Sequence, residues 1–160
     1  MNLKQRLRFL AKAFSPDSSE QTTPPKVVGE LMTRDVVSLY PNQSFAEAIG
    51  VMASRPFRHI LVIHHNGLLA GVISDRDLLR GMGGIGEWKE KKVSEVMSPE
   101  VVTVTPDTSL SIAVREILSH RINCLPVINK ENKQVCGILT STDLLKFFER
   151  LQTTRERLTD

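Results

Sequence analysis

The stretch "GILTSTDLLK", Gly137–Lys146, repeats an earlier one, "GVISDRDLLR", Gly71–Arg80. The glycine, the aspartate and both leucines are identical in the two stretches, and most of the other positions keep their chemical character. Each stretch has the pattern of an apolar strand that ends at a hydroxyl and continues into a helix with a carboxylate three residues later. A chain in which this pattern occurs twice is expected to contain an internal duplication.

The duplication extends upstream of both stretches. The segment "LMTRDVVSLYPNQSFAEAIGVM" (31–52) aligns with "VMSPEVVTVTPDTSLSIAVREI" (96–117), and Met32 and Met97 are 65 positions apart. The offset rises to 66 at Ser74 and Thr140, which places the extra residue of the second copy in the turn "NKENK". Insertions at exposed hairpin tips are well tolerated, so the change of offset supports the alignment.

Each copy predicts the order β-α-β-β-α. An apolar strand (36–39 and 101–104) precedes a helix, two strands joined by a tight turn follow, and a second helix starts at Ser74 or Thr140. One copy of about 55 residues buries too little surface to be stable alone. We therefore expect an α+β fold in which the copies pack through their sheets as a pseudo-twofold pair, with a ligand-sized cleft at each junction. The first helices have apolar residues at i, i+3, i+4 and i+7, namely Phe45, Ala48, Ile49 and Met52, and Leu110, Ala113, Val114 and Ile117.

These patterns divide the chain into four parts. Residues 1–25 form a basic segment and a Pro/Ser-rich linker, 26–85 the first repeat, 86–150 the second repeat and 151–160 a C-terminal tail. Residues 1–14 contain four basic residues and no acidic residue. This segment has the pattern of an amphipathic helix that packs on the folded body or on a dimer partner, with contact to a membrane surface as the alternative.

Composition limits the class of protein. The chain has 160 residues, is 41% hydrophobic and 24% charged, and has no apolar run near the roughly 18 residues of a membrane-spanning helix. Its net charge of +3 comes from the first fourteen residues, so the remainder lacks the basic face of a nucleic-acid-binding protein. The N-terminus has no apolar signal region, so a cytoplasmic location is expected. In the predicted hairpin Cys124 pairs near Leu139 and not with Cys136, so both thiols are expected to be free and buried.

The repeated hydroxyl and carboxylate allow two interpretations. Ser74 with Asp77, and Thr140 with Asp143, match a capping box that binds the first amide groups of a helix. The same atoms would also suit a nucleoside phosphate. The helix start and the hydroxyl would bind phosphate, and the carboxylate would accept hydrogen bonds from the two ribose hydroxyls.

The doubled pattern resembles the tandem CBS (cystathionine-β-synthase) domain pair, often called a Bateman module. The resemblance covers roughly residues 27–148 and includes both Gly-h-h-Ser/Thr-x-x-Asp motifs. It implies binding of adenosine-containing ligands: AMP, ADP, ATP or S-adenosylmethionine, and in some members NAD or cyclic dinucleotides. In that family the hydroxyl contacts phosphate, and the aspartate contacts ribose.

The resemblance also implies an apolar adenine slot that is supplied by the opposite copy. Core packing is the alternative role for each of these residues. Four would face Asp77: Met97, Val102, Ile122 and Cys124. Four would face Asp143: Met32, Val37, Phe57 and His59.

The two sites differ in charge. The first has Arg58 and His59 at the start of its central strand and Arg76 inside the motif, whereas the second has Asn123, Cys124 and uncharged motif residues. Basic groups near phosphate favour polyanionic ligands, so tighter nucleotide binding is expected at the first site. In the alternative, the arginines are solvated or paired with Asp75.

The resemblance implies a regulatory protein and not an enzyme. It would signal through a conformational or assembly change, with a homodimer of CBS pairs and an unidentified effector protein as partners. A ligand-free scaffold or dimerisation module is the alternative. The residues indicate no required cofactor, no metal site and no catalytic group. "GMGGIG" (81–86) follows a helix and not a strand, which is typical of a linker and not of a dinucleotide-binding turn.

Overall fold

The computed structural model describes residues 24–83 and 87–157. It confirms two α+β copies, each preceded by a short helix, with the full β-α-β-β-α order in the first copy and a single bridge in place of the first strand in the second. The first copy contains α1 Val28–Leu31, β1 Ser38–Leu39, α2 Phe45–Ala53, β2 His59–Ile63, β3 Leu69–Ser74 and α3 Asp75–Gly81. A 3-10 turn at Glu87–Glu90 leads into the second copy, which contains α4 Val93–Val96, α5 Leu110–His120, β4 Cys124–Ile128, β5 Val135–Thr140 and α6 Ser141–Arg157.

Hydroxyl side chains start the longer helices where the sequence predicts helix starts. Ser44 and Ser74 accept hydrogen bonds from the amides of Glu47 and Asp77. Ser109 accepts from the amide of Ile112 at the start of α5. A side-chain oxygen in this position satisfies an amide that the helix itself leaves unbonded.

The two sheets are small and differ in size. In the first copy β1 runs parallel to β2, and β2 runs antiparallel to β3. In the second copy β4 and β5 form an antiparallel hairpin, and Val104 adds one parallel bridge to Val127. The predicted first strands, 36–39 and 101–104, are therefore shorter than expected.

The cause is an exchange of leading segments between the copies. Thr33 forms two backbone hydrogen bonds with Ile138, both of 2.9 Å. Ser98 forms the equivalent pair with Val72, of 2.8 and 3.0 Å. Each copy therefore begins on the sheet of the other, and the chain that crosses back forms no ladder with its own sheet until Ser38 and Val104.

Glycine makes this crossing possible. A Cβ atom on Gly71 would lie 2.7 Å from the Ser98 carbonyl oxygen and 2.9 Å from Met97 Sδ. On Gly137 it would lie 2.7 Å from Met32 Sδ and 3.0 Å from the Thr33 carbonyl oxygen. The repeated glycine of the motif is thus required by the close approach of the exchanged segment.

Three groups of buried side chains form the core. One surrounds Leu139 and includes Val28 and Met32 from the exchanged N-terminal segment. A second surrounds Phe45 and includes Val93 from the exchanged central segment. The third contains residues of both copies, Leu61, Val72, Cys124 and Ile138, and joins the two sheets as predicted.

Some predictions about the connections need correction or lie outside the described residues. Gly81 ends α3 and is buried, so the helix extends into the stretch predicted to be a linker. Both cysteines are free, but Cys136 is only partly buried, and Cys124 pairs with Thr140. The predicted basic helix of residues 1–14 and the glycines of 84–86 lie outside the described residues. Within the described ranges, no helix is long and apolar enough to cross a bilayer.

Candidate nucleotide site

Ser74 and Asp77 join β3 to α3 through three hydrogen bonds. The Ser74 amide donates to Asp77 Oδ2 over 2.8 Å, and the Ser74 hydroxyl donates to the same oxygen over 2.6 Å. In return the Asp77 amide donates to Ser74 Oγ over 3.3 Å. The pair therefore forms a capping box at the start of α3.

Thr140 and Asp143 have the same geometry at the start of α6. The Thr140 amide and hydroxyl donate to Asp143 Oδ2 over 2.8 and 2.6 Å, and the Asp143 amide donates to Thr140 Oγ1 over 3.3 Å. The sequence repeat is thus a repeat of side-chain geometry as well.

Each carboxylate keeps one oxygen outside its cap. Asp77 Oδ1 lies 3.9 Å from a guanidinium nitrogen of Arg80. Within residues 24–83 and 87–157, Asp143 Oδ1 has no hydrogen-bond or ion-pair partner. A carboxylate oxygen has two acceptor positions. Capping and ligand binding are therefore compatible, because the cap uses Oδ2 and leaves Oδ1 to accept from another group.

Basic side chains lie beside the first motif. His59 is the cross-strand neighbour of Ser74. Burial lowers the pKa of His59, an effect that the nearby Asp75 and Asp77 carboxylates partly offset. Arg58 lies 3.9 Å from an Asp75 carboxylate oxygen and is 82% exposed, so this ion pair is weak. Arg58 is thus close to Asp75, as the alternative interpretation expects, but it is not held there.

The second motif has uncharged neighbours. Cys124 is the cross-strand partner of Thr140, and burial raises the pKa of its thiol to about 12. The thiol is therefore protonated at neutral pH and is a small apolar surface. The Asn123 carbonyl accepts from the Ser141 amide over 3.0 Å, as the Arg58 carbonyl does from Asp75 over 3.1 Å in the first copy. The two motifs therefore have the same backbone hydrogen bond at the helix start, but the side chains beside the first motif are basic and those beside the second are uncharged.

The apolar residues predicted for the two slots fall into two groups. Met97 contacts the strand that ends at Ser74, and Met32 contacts the strand that ends at Thr140, so each packs on the sheet of the other copy. Most of the remaining predicted slot residues pack on the core of their own copy or on the cluster shared by both copies. Val37 is partly buried. Val102 and Ile122 pack on the second core, Phe57 packs on the first, and Cys124 lies in the shared cluster. No hydrogen bond or ion pair between described residues links His59 to Asp143.

Sequence reasoning missed a cavity of about 340 Å³ beside Asp77. It runs from Asp77 along α3, and the segment that begins the second copy lines its other side. Its lining residues are Asp77, Arg80, Gly81, Lys91, Glu95 and Val96. One feature of the sequence pointed to two of these residues. Lys91 and Glu95 repeat Lys26 and Glu30 at the 65-residue offset, so this charged pair belongs to the duplicated pattern.

Comparison with known families identifies this architecture. The family described as "CBS domain" matches residues 28–84 and again residues 93–150. The chain belongs to the CBS domain family. The CBS domain-containing protein YhcV of Bacillus subtilis is 34% identical over 117 residues, which are 73% of this chain and 81% of YhcV.

Other curated relatives are much longer proteins. A homoserine O-acetyltransferase of Methanocorpusculum labreanum is 31% identical over 120 residues, and an inosine-5'-monophosphate dehydrogenase of Methanocaldococcus jannaschii is 30% identical over 132 residues. The match covers 75% and 82% of this chain, but only 24% and 25% of the two enzymes. The chain thus spans about a quarter of the length of these relatives.

Solved structures share the CBS-pair fold. An acetoin utilization protein (AcuB) from Vibrio cholerae superposes with a TM-score of 0.74 at 29% identity, covering 84% of this chain and 98% of that one. CBSX2, solved in complex with AMP, gives a TM-score of 0.71 at 27% identity and covers 80% and 99%. The cytosolic domain of the Mg²⁺ channel MgtE, in complex with ATP, gives 0.64 at 28% identity and covers 76% and 48%. Two of these structures were thus solved with an adenine nucleotide bound.

Proposed function

We propose that this chain is a regulatory module that binds adenosine-containing nucleotides of the AMP, ADP or ATP type at its two Ser/Thr-x-x-Asp motifs. S-adenosylmethionine and NAD are further ligands of the same class. The main support is that each motif carboxylate keeps Oδ1 outside its helix cap. The AMP and ATP complexes of CBSX2 and MgtE support the choice of ligand class.

Binding would exchange hydrogen bonds within the capping box. The Ser74 hydroxyl, which donates to Asp77 Oδ2 in the free site, would rotate to donate to phosphate. That rotation frees an acceptor position on Oδ2, so the two Asp77 oxygens can accept from both ribose hydroxyls. The amide bond from Ser74 to Asp77 can remain, so the helix start survives binding. Thr140 and Asp143 would act in the same way.

The first site is proposed to bind phosphorylated ligands more tightly. Arg58, His59 and Arg76 lie near its helix start, and a phosphate placed there would form charge-assisted hydrogen bonds. The adenine would lie against Met97 and its neighbours. The second site would rely on Met32 and apolar surface.

Calorimetric titration with AMP and ATP tests the roles of the aspartates. Asp77→Ala is expected to weaken nucleotide binding more than Asp143→Ala does. Equal losses in the two variants would contradict the proposed difference between the sites.

Glu47→Ala is the matched control for lost capping. Ser44 and Glu47 form the same capping box at the start of α2, with bonds of 2.8 and 2.9 Å. All three variants lose the side-chain half of a capping box. Only the two aspartate variants should lose nucleotide affinity; an equal loss in Glu47→Ala would show that the effect is one of stability alone.

Output would pass through a change of conformation or assembly. A homodimer of CBS pairs and an effector protein are the proposed partners, and the cytoplasmic location stays a prediction. Leu79 and Leu145 occupy equivalent positions on α3 and α6 and are both 68% exposed, which offers apolar surface for such contacts.

A ligand-free scaffold is the second candidate, favoured by the completeness of both capping boxes without a ligand. Thermal unfolding with AMP, ADP, ATP and S-adenosylmethionine distinguishes the two. A ligand at 100 times its Kd stabilises the folded state by about 2.7 kcal/mol. A melting temperature that none of these ligands moves would leave the scaffold as the function.

A further inference from the structure

The two copies differ in size at one packing position. A Cβ atom on Gly81 would lie 2.6 Å from Cζ of Phe45, so α3 carries no side chain there. The equivalent position in α6 is Phe147, which packs on the core that contains Leu110, the counterpart of Phe45. The phenylalanine is thus on the first helix of the unit in the first copy and on the second helix of the unit in the second copy. In the first copy the Phe45 ring of α2 occupies the space that a side chain at Gly81 of α3 would need.

The cavity of about 340 Å³ is also lined by Gly81. It begins at Asp77 and follows α3 to Gly81, while Ser74 is not among its lining residues. A ligand with ribose on Asp77 and its 5′-phosphate on Ser74 would therefore direct its 2′ and 3′ substituents toward the cavity. This step rests on the proposed function.

The cavity's two cations are incompletely neutralised. Lys91 Nζ donates to the Gly81 carbonyl over 3.3 Å and has no carboxylate within ion-pair distance among the described residues. In the part of the chain that the structure describes, the ion pair of Arg80 is the 3.9 Å contact with Asp77, and the Arg80 side chain is 80% exposed. By contrast, both acids receive backbone amide hydrogen bonds, Glu95 from Lys92 over 2.6 Å and Asp77 from Ser74. An added anion therefore gains partners from Lys91 and Arg80.

We propose that the cavity binds a second phosphate carried on the ribose, so that the first site selects nucleosides phosphorylated at the 2′ or 3′ position as well as at the 5′ position. One ribose hydroxyl would still donate to Asp77. Arg80 would move its guanidinium from Asp77 to the added phosphate, and Lys91 would contribute the second charge. A phosphate group is far smaller than the cavity, so no backbone movement is required.

Calorimetric titration of the full chain with AMP, adenosine 3′,5′-bisphosphate and adenosine 2′,5′-bisphosphate tests this proposal. At least one bisphosphate is expected to bind about tenfold more tightly than AMP, as one charge-assisted hydrogen bond provides after solvent screening. Retained AMP binding with no preference for either bisphosphate would overturn the cavity's role and leave the proposed function intact. Absence of binding by all three would overturn both.

Matched variants locate the effect. Lys91→Gln keeps a donor for the Gly81 carbonyl but removes the charge, and Lys26→Gln makes the same change at the equivalent position of the second copy. The ratio of the AMP Kd to the bisphosphate Kd should fall several-fold in Lys91→Gln and stay at the wild-type value in Lys26→Gln. Arg80→Gln and Lys146→Gln form a second pair with the same expectation. Equal falls within a pair would indicate general electrostatic attraction and overturn the proposal.

Discussion

At the scale of single residues, His59 shows how the fold alters one ionisation. Its ring lies partly buried beside Ser74, and burial disfavours the charged imidazolium more than Asp75 and Asp77 favour it. The net effect is a pKa below the value of the unfolded chain. The unfolded state therefore binds a proton first as the pH falls. Burial of His59 thus costs stability only under acidic conditions.

His59→Gln is expected to reduce the acid sensitivity of folding. Wild-type stability should be fully present above about pH 6.5, the unfolded pKa of histidine, and should fall as the pH drops below it toward the lower folded pKa. Urea unfolding of both proteins at pH 7.5 and 5.5 measures this contribution. The wild type should lose more free energy of unfolding between the two pH values than the variant does. Identical losses would mean that the folded state does not hold His59 neutral.

The residue scale also shows what sequence reasoning can reach. The capping atoms of Ser74, Asp77, Thr140 and Asp143 were predictable, because a capping box depends only on residues three positions apart. Arg80 and Lys91 were not predicted as neighbours. Their approach depends on how α3 meets the segment before α4, which no local pattern determines.

At the scale of elements, the exchanged segments depend on glycine. Gly71→Ala would force a methyl group to within 3 Å of the Ser98 carbonyl and Met97 Sδ, so the strand-like pairing of Ser98 with Val72 must shift. Overpacking of this kind costs about 1–3 kcal/mol. Urea unfolding should show that loss. Gly50→Ala is the control, because Gly50 lies in the exposed interior of α2 with open space around it, and it should gain about 0.5–1 kcal/mol.

The packing of α2 on α3 provides a second test. Gly81→Ala should destabilise the fold, since its Cβ would meet the Phe45 ring, and Phe45→Leu should destabilise it by leaving space. The double variant is expected to lose less free energy of unfolding than the two single variants lose together, because leucine makes room for the added methyl group. A double-mutant cycle should give a coupling of about 0.5–3 kcal/mol. Simple additivity would show that the two residues are not a complementary pair.

Elements with strong periodicity were predicted, and elements defined by distant pairing were not. The apolar spacing of α2 and α5 and the hairpins β2–β3 and β4–β5 follow from neighbouring residues, and the structure confirms them. The predicted strands before α2 and α5 are longer than the strand and the bridge that the structure forms there. Their residues are apolar enough for strands, but the chain crosses between sheets there and forms few ladder bonds.

At the scale of the whole molecule, the exchange joins the two copies more closely than tandem repeats alone would require. Each core contains side chains from the other copy's leading segment: Val28 and Met32 pack around Leu139, and Val93 packs around Phe45. Ligands bound between the copies would then act on a single cooperative unit. The cluster of Leu61, Val72, Cys124 and Ile138 joins the two sheets that lead to the motifs.

Unfolding should therefore be a single transition in both copies. Trp88, the chain's only tryptophan, packs edge-on against Phe45 at 6.3 Å between ring centres and reports on the first core. Leu139→Ala creates a cavity in the second core and should cost about 2–5 kcal/mol. If the cores are one cooperative unit, the urea midpoint from Trp88 fluorescence should fall as much as the midpoint from far-ultraviolet circular dichroism. A fluorescence midpoint that stays at the wild-type value would show that the copies unfold independently despite their exchanged segments.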